Sequence, residues 1–260
     1  MHVDSHKPGT IAWMDLMTDD QQGAMKFYGA LLGWTFEVGG QETGRYAMAI
    51  KNGRMAAGIG QKSPQMQFPN AWSVYFGVEN AEATLARVVS NGGQTMMPPM
   101  DIPQSGRMAM AVDNTGAVFG LWQPTGHKGA QLIDEPGAMT WYEVNTRDAE
   151  KARHFYSKVF DLEAVKMDAP GMTYWMLNRG EKTYAGILQM NEQWPKEIPP
   201  HWMGYFAVED ADAAAKKVAE LGGKVMVPPF DSPYGRISVV QDPQGASFSV
   251  IKLSQTAQQM

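Results

Sequence analysis

The pattern of apolar and polar residues near the start of the chain predicts a strand, a helix and three further strands. Residues Ile11 to Met17 are typical of a strand, and Thr18-Asp-Asp-Gln21 matches a capping box, which satisfies free backbone N–H groups where a helix begins. The helix carries one apolar stripe at i, i+3, i+4 and i+7, formed by Ala24, Phe27, Tyr28 and Leu31. Gly33 is expected to end this helix. Short strands separated by Gly-containing turns are then predicted at 35–38, 45–50 and 55–60.

The next stretch follows the same order of elements. A strand is predicted over Trp72 to Val78, followed by a helix that is capped by Asn80 and stops at Gly92-Gly93. The inward positions of this helix are predicted to be Ala81, Leu85, Val88 and Val89. Three more strands are expected near Gln94, Met108 and Val118. A repeated βαβββ order indicates an α+β fold, with helices on one face of a curved antiparallel sheet and a cavity on the other.

The second half of the chain repeats the first after about 128 residues. Trp13-Met-Asp15 returns as Trp141-Tyr-Glu143, and Phe27-Tyr28 returns as Phe155-Tyr156. A duplication this regular predicts two copies of one domain with related pockets, and therefore four βαβββ modules. We expect domain 1 to span residues 1–126 and domain 2 residues 127–260, each with its own core. Residues 124–138 have no match between the copies and are rich in Gly and Pro, so we interpret them as the linker.

Composition and charge narrow the function classes. The net charge is −5 with both signs interspersed, so nucleic acid is not an expected partner. The absence of cysteine excludes disulfides, thiol nucleophiles and thiolate metal sites. The sequence has no apolar run long enough to span a bilayer and no signal-like N-terminus, so we expect a cytoplasmic protein that does not engage a membrane.

Three motifs resemble those of a known superfamily. They are the Trp-containing first strand, Phe27-Tyr28 with Leu32-Gly33-Trp34 at the end of the helix (repeated as Phe155-Tyr156 with Phe160-Asp161-Leu162), and Asp242-Pro-Gln-Gly245 before the last strand. On these residues the whole chain resembles the vicinal oxygen chelate superfamily of glyoxalase I, extradiol dioxygenases and bleomycin-resistance proteins. It is most similar to a tandem-domain branch with a mycobacterial antigen and proteins labelled as hydroxylases. The resemblance implies two tandem domains whose four modules form curved mixed sheets with the helices outside.

The resemblance also implies where a metal would bind. In that superfamily, His and Glu ligands project from the first, fifth and eighth strands of a domain. The corresponding residues here are Trp13, Ser73 and Gly120 in the first copy, and Trp141, Met203 and Ser249 in the second. None of these suits a hard divalent cation, which prefers imidazole and carboxylate donors. We therefore expect no metal and no other cofactor, and a divergent enzyme that depends on a divalent metal remains the alternative.

Candidate pocket residues follow from strand periodicity, because side chains two residues apart share a face. If Trp13 and Trp141 face the cavities, Asp15 and Glu143 do so as well. The same parity on the fifth strands adds the remaining candidates: Tyr75, His201, Met203 and Tyr205. A carboxylate in an apolar strand is costly to bury unless it is hydrogen-bonded, and its pKa tends upward. Asp15 and Glu143 are therefore candidates for a general base or a ligand anchor. The competing interpretation is a buried structural network with a neighbouring Tyr or Arg.

Further candidates carry weaker signals. His201 could act as a general base or as a single metal ligand, although a histidine beside Pro199-Pro200 is more often a surface residue. Arg107 and Arg236 follow a glycine at the start of a seventh strand, where they could bind an anionic ligand or the pocket acids. Trp122 has inward parity, and Ile251 replaces it in the second copy. Residues of the opposite parity should pack under the helices: Phe119, Leu121, Phe248 and Val250.

Together these features favour a protein that binds a small planar or apolar molecule without a metal. The alternative is an enzyme, a lyase, isomerase or oxidoreductase, that uses Asp15, Glu143 or His201 for proton transfer. Because the duplication supplies paired modules within one chain, either a monomer or a homodimer is compatible with the sequence.

Overall fold

The computed structural model describes residues 1–167 and 171–254. The first copy contains, in order, β1 (Ile11–Thr18), α1 (Gln21–Leu32), β2 (Thr35–Val38), a 3-10 turn (Gln41–Thr43), β3 (Ala47–Lys51), β4 (Arg54–Gln61), β5 (Ala71–Gly77), α2 (Ala81–Ser90), β6 (Gln94–Ile102), β7 (Gly106–Val112) and β8 (Val118–Pro124). The second copy contains β9 (Met139–Thr146), α3 (Ala149–Phe160), β10 (Glu163–Met167), β11 (Tyr174–Arg179), β12 (Lys182–Gln189), β13 (His201–Ala207), α4 (Ala211–Glu220), β14 (Lys224–Ser232), β15 (Gly235–Gln241) and β16 (Ser247–Leu253). The βαβββ order is thus present four times, as the sequence predicts.

Each copy forms one open eight-stranded sheet. The strand orders are β2-β3-β4-β1-β5-β8-β7-β6 and β10-β11-β12-β9-β13-β16-β15-β14. Both sheets are mixed, because the first strand of each copy pairs parallel with its fourth strand and antiparallel with its fifth. The antiparallel sheet expected from the order of elements is therefore wrong, and the mixed sheets implied by the resemblance are present. The predicted α+β fold of tandem vicinal-oxygen-chelate domains is confirmed, and the two first strands lie at the centres of equivalent sheets.

The caps of α1 differ in part from the capping-box prediction. Asp20, not Thr18, accepts the hydrogen bond from the backbone N–H of Gly23, at 2.9 Å. The Gln21 amide instead donates to the carbonyl oxygens of Arg45 and Ile59, at 2.9 and 2.8 Å. These strand carbonyls compete for Gln21, so the reciprocal bond of a capping box does not form. Gly33 ends the helix in the left-handed region, as expected.

The prediction of the buried face of α2 is wrong at one residue, Val89. Asn80 caps this helix, and Ala81, Leu85 and Val88 are buried, but Val89 is 52% exposed. Residue 89 follows Val88 by one position and so lies about 100° round the helix, outside the buried stripe.

The two copies share one hydrophobic core, which corrects the expectation of a separate core in each half. One buried cluster contains residues from both sheets and from all four helices. Phe27 of α1 packs edge-on against Phe248 of the second sheet, at 6.3 Å between ring centroids. In the reverse direction, Phe160 of α3 stacks on Phe76 of the first sheet, at 3.9 Å. The aromatic faces of α1 and α3 therefore cover sheet residues of the opposite copy.

The strand residues assigned to this core are buried as predicted. Phe119, Leu121, Phe248 and Val250 are each 0% exposed. The ring of Phe119 packs edge-on against the ring of Phe155 in α3, at 6.1 Å between ring centroids. The prediction that these residues pack under helices is correct, but the helix over Phe119 comes from the other copy.

Residues 125–138 connect the sheets and pack against the N-terminal segment. Val3 donates its backbone N–H to the carbonyl of Gln131, and the backbone N–H of Ala130 donates to the carbonyl of Ala12. His6 contacts the Ala130 carbonyl through Nε2, at 2.8 Å. Within the described ranges no helix is long and apolar enough to cross a bilayer.

Candidate functional site

The face of each sheet that is turned away from the helices carries the predicted pocket residues. We call this face of the first sheet cup 1 and that of the second sheet cup 2. In cup 1, Trp13 pairs with Tyr75 and Asp15 with Ser73. In cup 2, Trp141 pairs with Tyr205, Glu143 with Met203 and Asn145 with His201. Because directly opposed residues share a face, the register brings these side chains together in each cup.

A chain of hydrogen bonds leads to the carboxylate in cup 1. The Trp13 indole donates to the Tyr46 hydroxyl, which donates to Oδ2 of Asp15, both at 3.0 Å. The Tyr75 hydroxyl also donates to Oδ2 of Asp15, at 3.4 Å. Asp15 is only 6% exposed, so its charge has little access to water.

Cup 2 repeats this network with a longer acid. The Trp141 indole donates to the Tyr174 hydroxyl, and that hydroxyl donates to Oε2 of Glu143, both at 3.0 Å. The Tyr205 hydroxyl donates to Oε1 of Glu143, at 2.8 Å. Both carboxylate oxygens of Glu143 are thus hydrogen-bonded, whereas Oδ1 of Asp15 has no hydrogen-bond partner in the described part of the chain.

Tyr46 and Tyr174 were not among the predicted site residues. Their positions differ by the same 128 residues as Trp13 and Trp141, so the internal repeat contained a signal for them. A matching pair of glycines makes room for their hydroxyls. A Cβ atom on Gly58 would lie 1.8 Å from the Tyr46 oxygen, and a Cβ on Gly186 would lie 1.8 Å from the Tyr174 oxygen.

Burial dominates the electrostatics of both acids. Loss of solvation raises the pKa of Asp15 to about 7, although the hydrogen bonds from Tyr46 and Tyr75 oppose the rise. Loss of solvation also raises the pKa of Glu143, against the bonds from Tyr205 and Tyr174. Asp15 combines a raised pKa with an oxygen that has no hydrogen-bond partner among the described residues, whereas both oxygens of Glu143 accept hydrogen bonds.

His127 of the connecting segment packs over one end of cup 1. Its ring lies edge-on to Trp13, at 4.4 Å between centroids, and 5.6 Å from Trp122. The Trp122 indole donates to the His127 carbonyl, at 2.7 Å. Burial lowers the pKa of His127 to about 4, so its imidazole is neutral at pH 7. Trp122 therefore lies in the cup as its parity predicts, with the imidazole packed over it.

His201 lies beside Asn145 in cup 2, and Asn145 is four residues along β9 from Trp141. Its Nδ1 is 2.8 Å from the carbonyl oxygen of Pro199, and its Nε2 is 3.3 Å from Nδ2 of Asn145. Burial lowers the pKa of His201. The counterparts of Asn145 and His201 in cup 1 are Met17 and Ala71, which also pair across the strands. This pair is polar in cup 2 and apolar in cup 1.

Cup 2 contains its own apolar cluster. Met203, Tyr205 and Ile251 are buried and form a group distinct from the common core. Hydrophobic residues that remain partly exposed surround this group: Trp141, Tyr234, Ile237, Val239 and Leu253. Trp141 is more exposed than Trp13, which is only 4% exposed. Solvent therefore reaches the aromatic wall of cup 2 more readily than that of cup 1.

Arg107 and Arg236 do not reach the cup acids. Arg107 pairs with Glu82 of α2 and with Asp101, at 2.5 and 2.6 Å. Arg236 pairs with Asp212 of α4 and with Asp231. Their neighbours Met108 and Ile237 occupy the cup face of the sheet, so both arginines lie on the helix face. There each arginine links a helix to the edge strand of its sheet.

The residues at the superfamily's metal positions do not fit a divalent cation. Trp13 and Trp141 offer indole N–H groups that are already donated to tyrosines, and Met203 offers a thioether. Gly120 has no donor, and the Tyr75 ring fills the place of its Cβ, with the nearest ring atom at 2.1 Å. Among the described residues no group of three or more His, Asp or Glu side chains could hold a metal ion.

The sequence matches the profile of a family described as the Glyoxalase/Bleomycin resistance protein/Dioxygenase superfamily, over residues 10–121 and 138–250. It is 42% identical over 255 residues to a Mycobacterium tuberculosis protein named "Putative glyoxylase CFP32", covering 95% of this chain and 96% of that protein. It is 34% identical over 260 residues to the anthracycline biosynthesis protein DnrV of Streptomyces peucetius, covering 95% of this chain and 94% of DnrV.

Two solved structures share the fold at low sequence identity. The Mn(II)-bound glyoxalase from Novosphingobium aromaticivorans superposes with a TM-score of 0.65 at 15% identity, covering 95% of this chain and 83% of that one. The 2,3-dioxygenase LapB from Pseudomonas sp. KL28 gives a TM-score of 0.64 at 12% identity, covering 95% of this chain and 93% of that one. These likenesses concern the arrangement of strands and helices.

Proposed function

The chain belongs to the glyoxalase/bleomycin resistance protein/dioxygenase superfamily, and we propose that it binds a small planar or apolar molecule in cup 2 without a metal. The carrying observation is the apolar cluster of cup 2, in which five hydrophobic side chains are partly exposed around Met203, Tyr205 and Ile251. Concave apolar walls with a few polar groups are typical of small-molecule sites. A planar guest could stack on the exposed part of Trp141, since aromatic faces favour offset stacking.

The name of one relative supports a planar ligand. DnrV is named for anthracycline biosynthesis, and anthracyclines are fused-ring aromatic compounds of the kind an indole wall accommodates. The cup residues support binding without a metal, because their indole, thioether and hydroxyl groups are poor ligands for a hard divalent cation. Glu143, with both oxygens hydrogen-bonded to tyrosines, would fix the shape of the cup.

Calorimetric titration with 1-naphthol in buffer containing EDTA tests this proposal. We expect saturable binding to the wild-type protein, and binding about tenfold weaker or worse for Trp141→Ala, because the stacking surface is lost. Val89→Ala, at an exposed position of α2, serves as the control and should bind like the wild type. Binding that is absent in EDTA and appears only after Mn²⁺ is added would overturn the metal-independent proposal.

A second candidate function is proton transfer by Asp15. It is favoured by one specific observation: Oδ1 of Asp15 is buried without a hydrogen-bond partner among the described residues, on a carboxyl whose pKa burial raises to about 7. A base with a pKa near the working pH is well matched to removing a proton. Asp15→Asn should then abolish turnover of a substrate and leave its binding intact. Equal turnover by the variant would exclude Asp15 as the base.

A further inference from the structure

The second copy differs from the first at one pair of cup residues. Asn145 and His201 face each other across β9 and β13, where the first copy has Met17 and Ala71. We propose that Asn145 is a ligand-binding residue of cup 2, and that its side-chain oxygen accepts a hydrogen bond from a hydroxyl or N–H group of the ligand. We assign His201 as the positioning residue for Asn145. This proposal rests on the proposed binding function of cup 2.

The orientation of the Asn145 amide follows from the partners of His201. The Pro199 carbonyl can only accept a hydrogen bond, so the neighbouring Nδ1 of His201, at 2.8 Å, must carry a proton. Burial lowers the pKa of His201, which keeps the ring neutral at pH 7. In a neutral imidazole the other nitrogen is an acceptor. Nε2 therefore accepts from the Asn145 amide N–H₂ group, and Oδ1 of Asn145 points away from the histidine.

Oδ1 of Asn145 is a buried acceptor that is left over. Asn145 is 2% exposed, and its Oδ1 has no hydrogen-bond partner in the described part of the chain. Buried acceptors in native proteins are nearly always paired, with protein, water or ligand. Asn145 lies two residues beyond Glu143 on β9, so both side chains face cup 2. Since the oxygens of Glu143 are already bonded to Tyr174 and Tyr205, Asn145 presents a free carbonyl-type acceptor beside them.

The first copy shows that the fold does not need this pair. Met17 and Ala71 have the same register in cup 1 and no amide or imidazole. A polar pair at one cup only is expected if cup 2 recognises a polar group. The ligand class is then an aromatic alcohol or aryl N–H compound, with its rings on the apolar cluster and its donor at Asn145.

A matched pair of ligands separates this inference from the proposed function. 1-Naphthol carries a donor, and 1-methoxynaphthalene has the same rings without it. We expect the wild type to bind 1-naphthol about five- to tenfold more tightly, as one hydrogen bond to a buried acceptor allows. Failure of both ligands to bind would overturn the proposed function and this inference with it. Equal affinity for both would overturn this inference alone.

Variants of the cup residues test which side chain causes the tighter binding of 1-naphthol. Asn145→Leu should bind both ligands equally, and Met17→Leu in cup 1 is the matched control that should keep the preference. The double variant Asn145→Met with His201→Ala installs the residues of the first copy, a combination this fold already accommodates, and should also lose the preference. If both variants of cup 2 retain it, Asn145 is not the acceptor.

The role of His201 has its own readout. His201→Leu removes the acceptor for the Asn145 amide and should abolish the preference for 1-naphthol. His201→Gln retains a side-chain oxygen that can accept from Asn145, so it should restore the preference. A merely space-filling role of His201 would be rescued by Leu as well as by Gln, and that result would overturn its assignment as a positioning residue.

Discussion

The hydroxyl of Tyr156 in α3 donates a 2.7 Å hydrogen bond to Oδ2 of Asp113, so a helix of the second copy is bonded to a turn of the first. The other oxygen of Asp113 accepts from backbone N–H groups of its own turn, including those of Gly116 and Ala117. The reciprocal bond joins Tyr28 of α1 to Asp242 at 3.0 Å. Each aspartate thus organises its turn and also fastens that turn to the other copy.

Tyr156→Phe should destabilise the whole protein. The substitution leaves Oδ2 of Asp113 buried without its donor, which costs about 1–3 kcal/mol. Urea unfolding, monitored by circular dichroism, measures the change in the free energy of unfolding. Tyr28→Phe should have a similar effect, and Val89→Ala should have almost none. Unfolding in two separate steps with an unchanged second midpoint would contradict the shared core.

Asp15→Asn should flatten the pH dependence of stability. The pKa of Asp15 is raised in the folded protein, from 3.8 to about 7, so between these values the folded state binds more protons than the unfolded state. Stability therefore falls as pH rises through this range, by up to about 4 kcal/mol, and the Asn variant should lack this loss. The lowered pKa of His127 has the opposite sign, with stability lost as pH falls from 6.5 towards about 4. The comparison of wild type and Asp15→Asn at each pH isolates the aspartate.

Gly186→Ala should break the network of cup 2. The new Cβ would lie 1.8 Å from the Tyr174 hydroxyl, so the tyrosine must leave Glu143 or the strands must separate. We expect a loss of about 1–3 kcal/mol in the free energy of unfolding, typical of overpacking. Val89→Ala, at the exposed position of α2, is the control and should unfold like the wild type. A variant as stable as the wild type, with Tyr174 in place, would contradict this account.

His127→Ala should open cup 1. Removing the imidazole uncovers Trp13 and Trp122, so tryptophan emission should shift to longer wavelength and become more sensitive to iodide quenching. The neutral ring contributes packing and little charge at pH 7, so the shift should be nearly the same at pH 6 and pH 8. An unchanged spectrum would mean that another segment takes the place of the ring.

The periodicity of the strands and the internal repeat predicted the order of the elements and the cup faces of β1 and β9, whereas the mixed sheets followed from the resemblance to the superfamily. Period two placed Asp15 and Glu143 on the same face as the tryptophans, and the observed register agrees. The repeat also contained Tyr46 and Tyr174, but their role depends on a parallel pairing of the first and fourth strands that local patterns do not reveal.

Two contacts could not be predicted from the sequence, because its local patterns do not show which partner a buried residue packs against. The apolar stripe of α1 shows that Phe27 is buried, but burial on either sheet satisfies the same hydrophobic requirement. The sequence therefore did not show that the aromatic face crosses to the second copy. The contact of His127 with Trp13 depends on the path of an irregular segment, for which no periodicity exists.

The crossing of α1 and α3 bears on how such a chain can be divided. A fragment ending in the connecting segment would expose Phe76 and Phe119, and its complement would expose Phe206 and Phe248, all of which are fully buried in the intact protein. The two fragments should therefore associate through these aromatic residues. Co-expression of two polypeptides that are divided between β8 and β9 should reconstitute the protein.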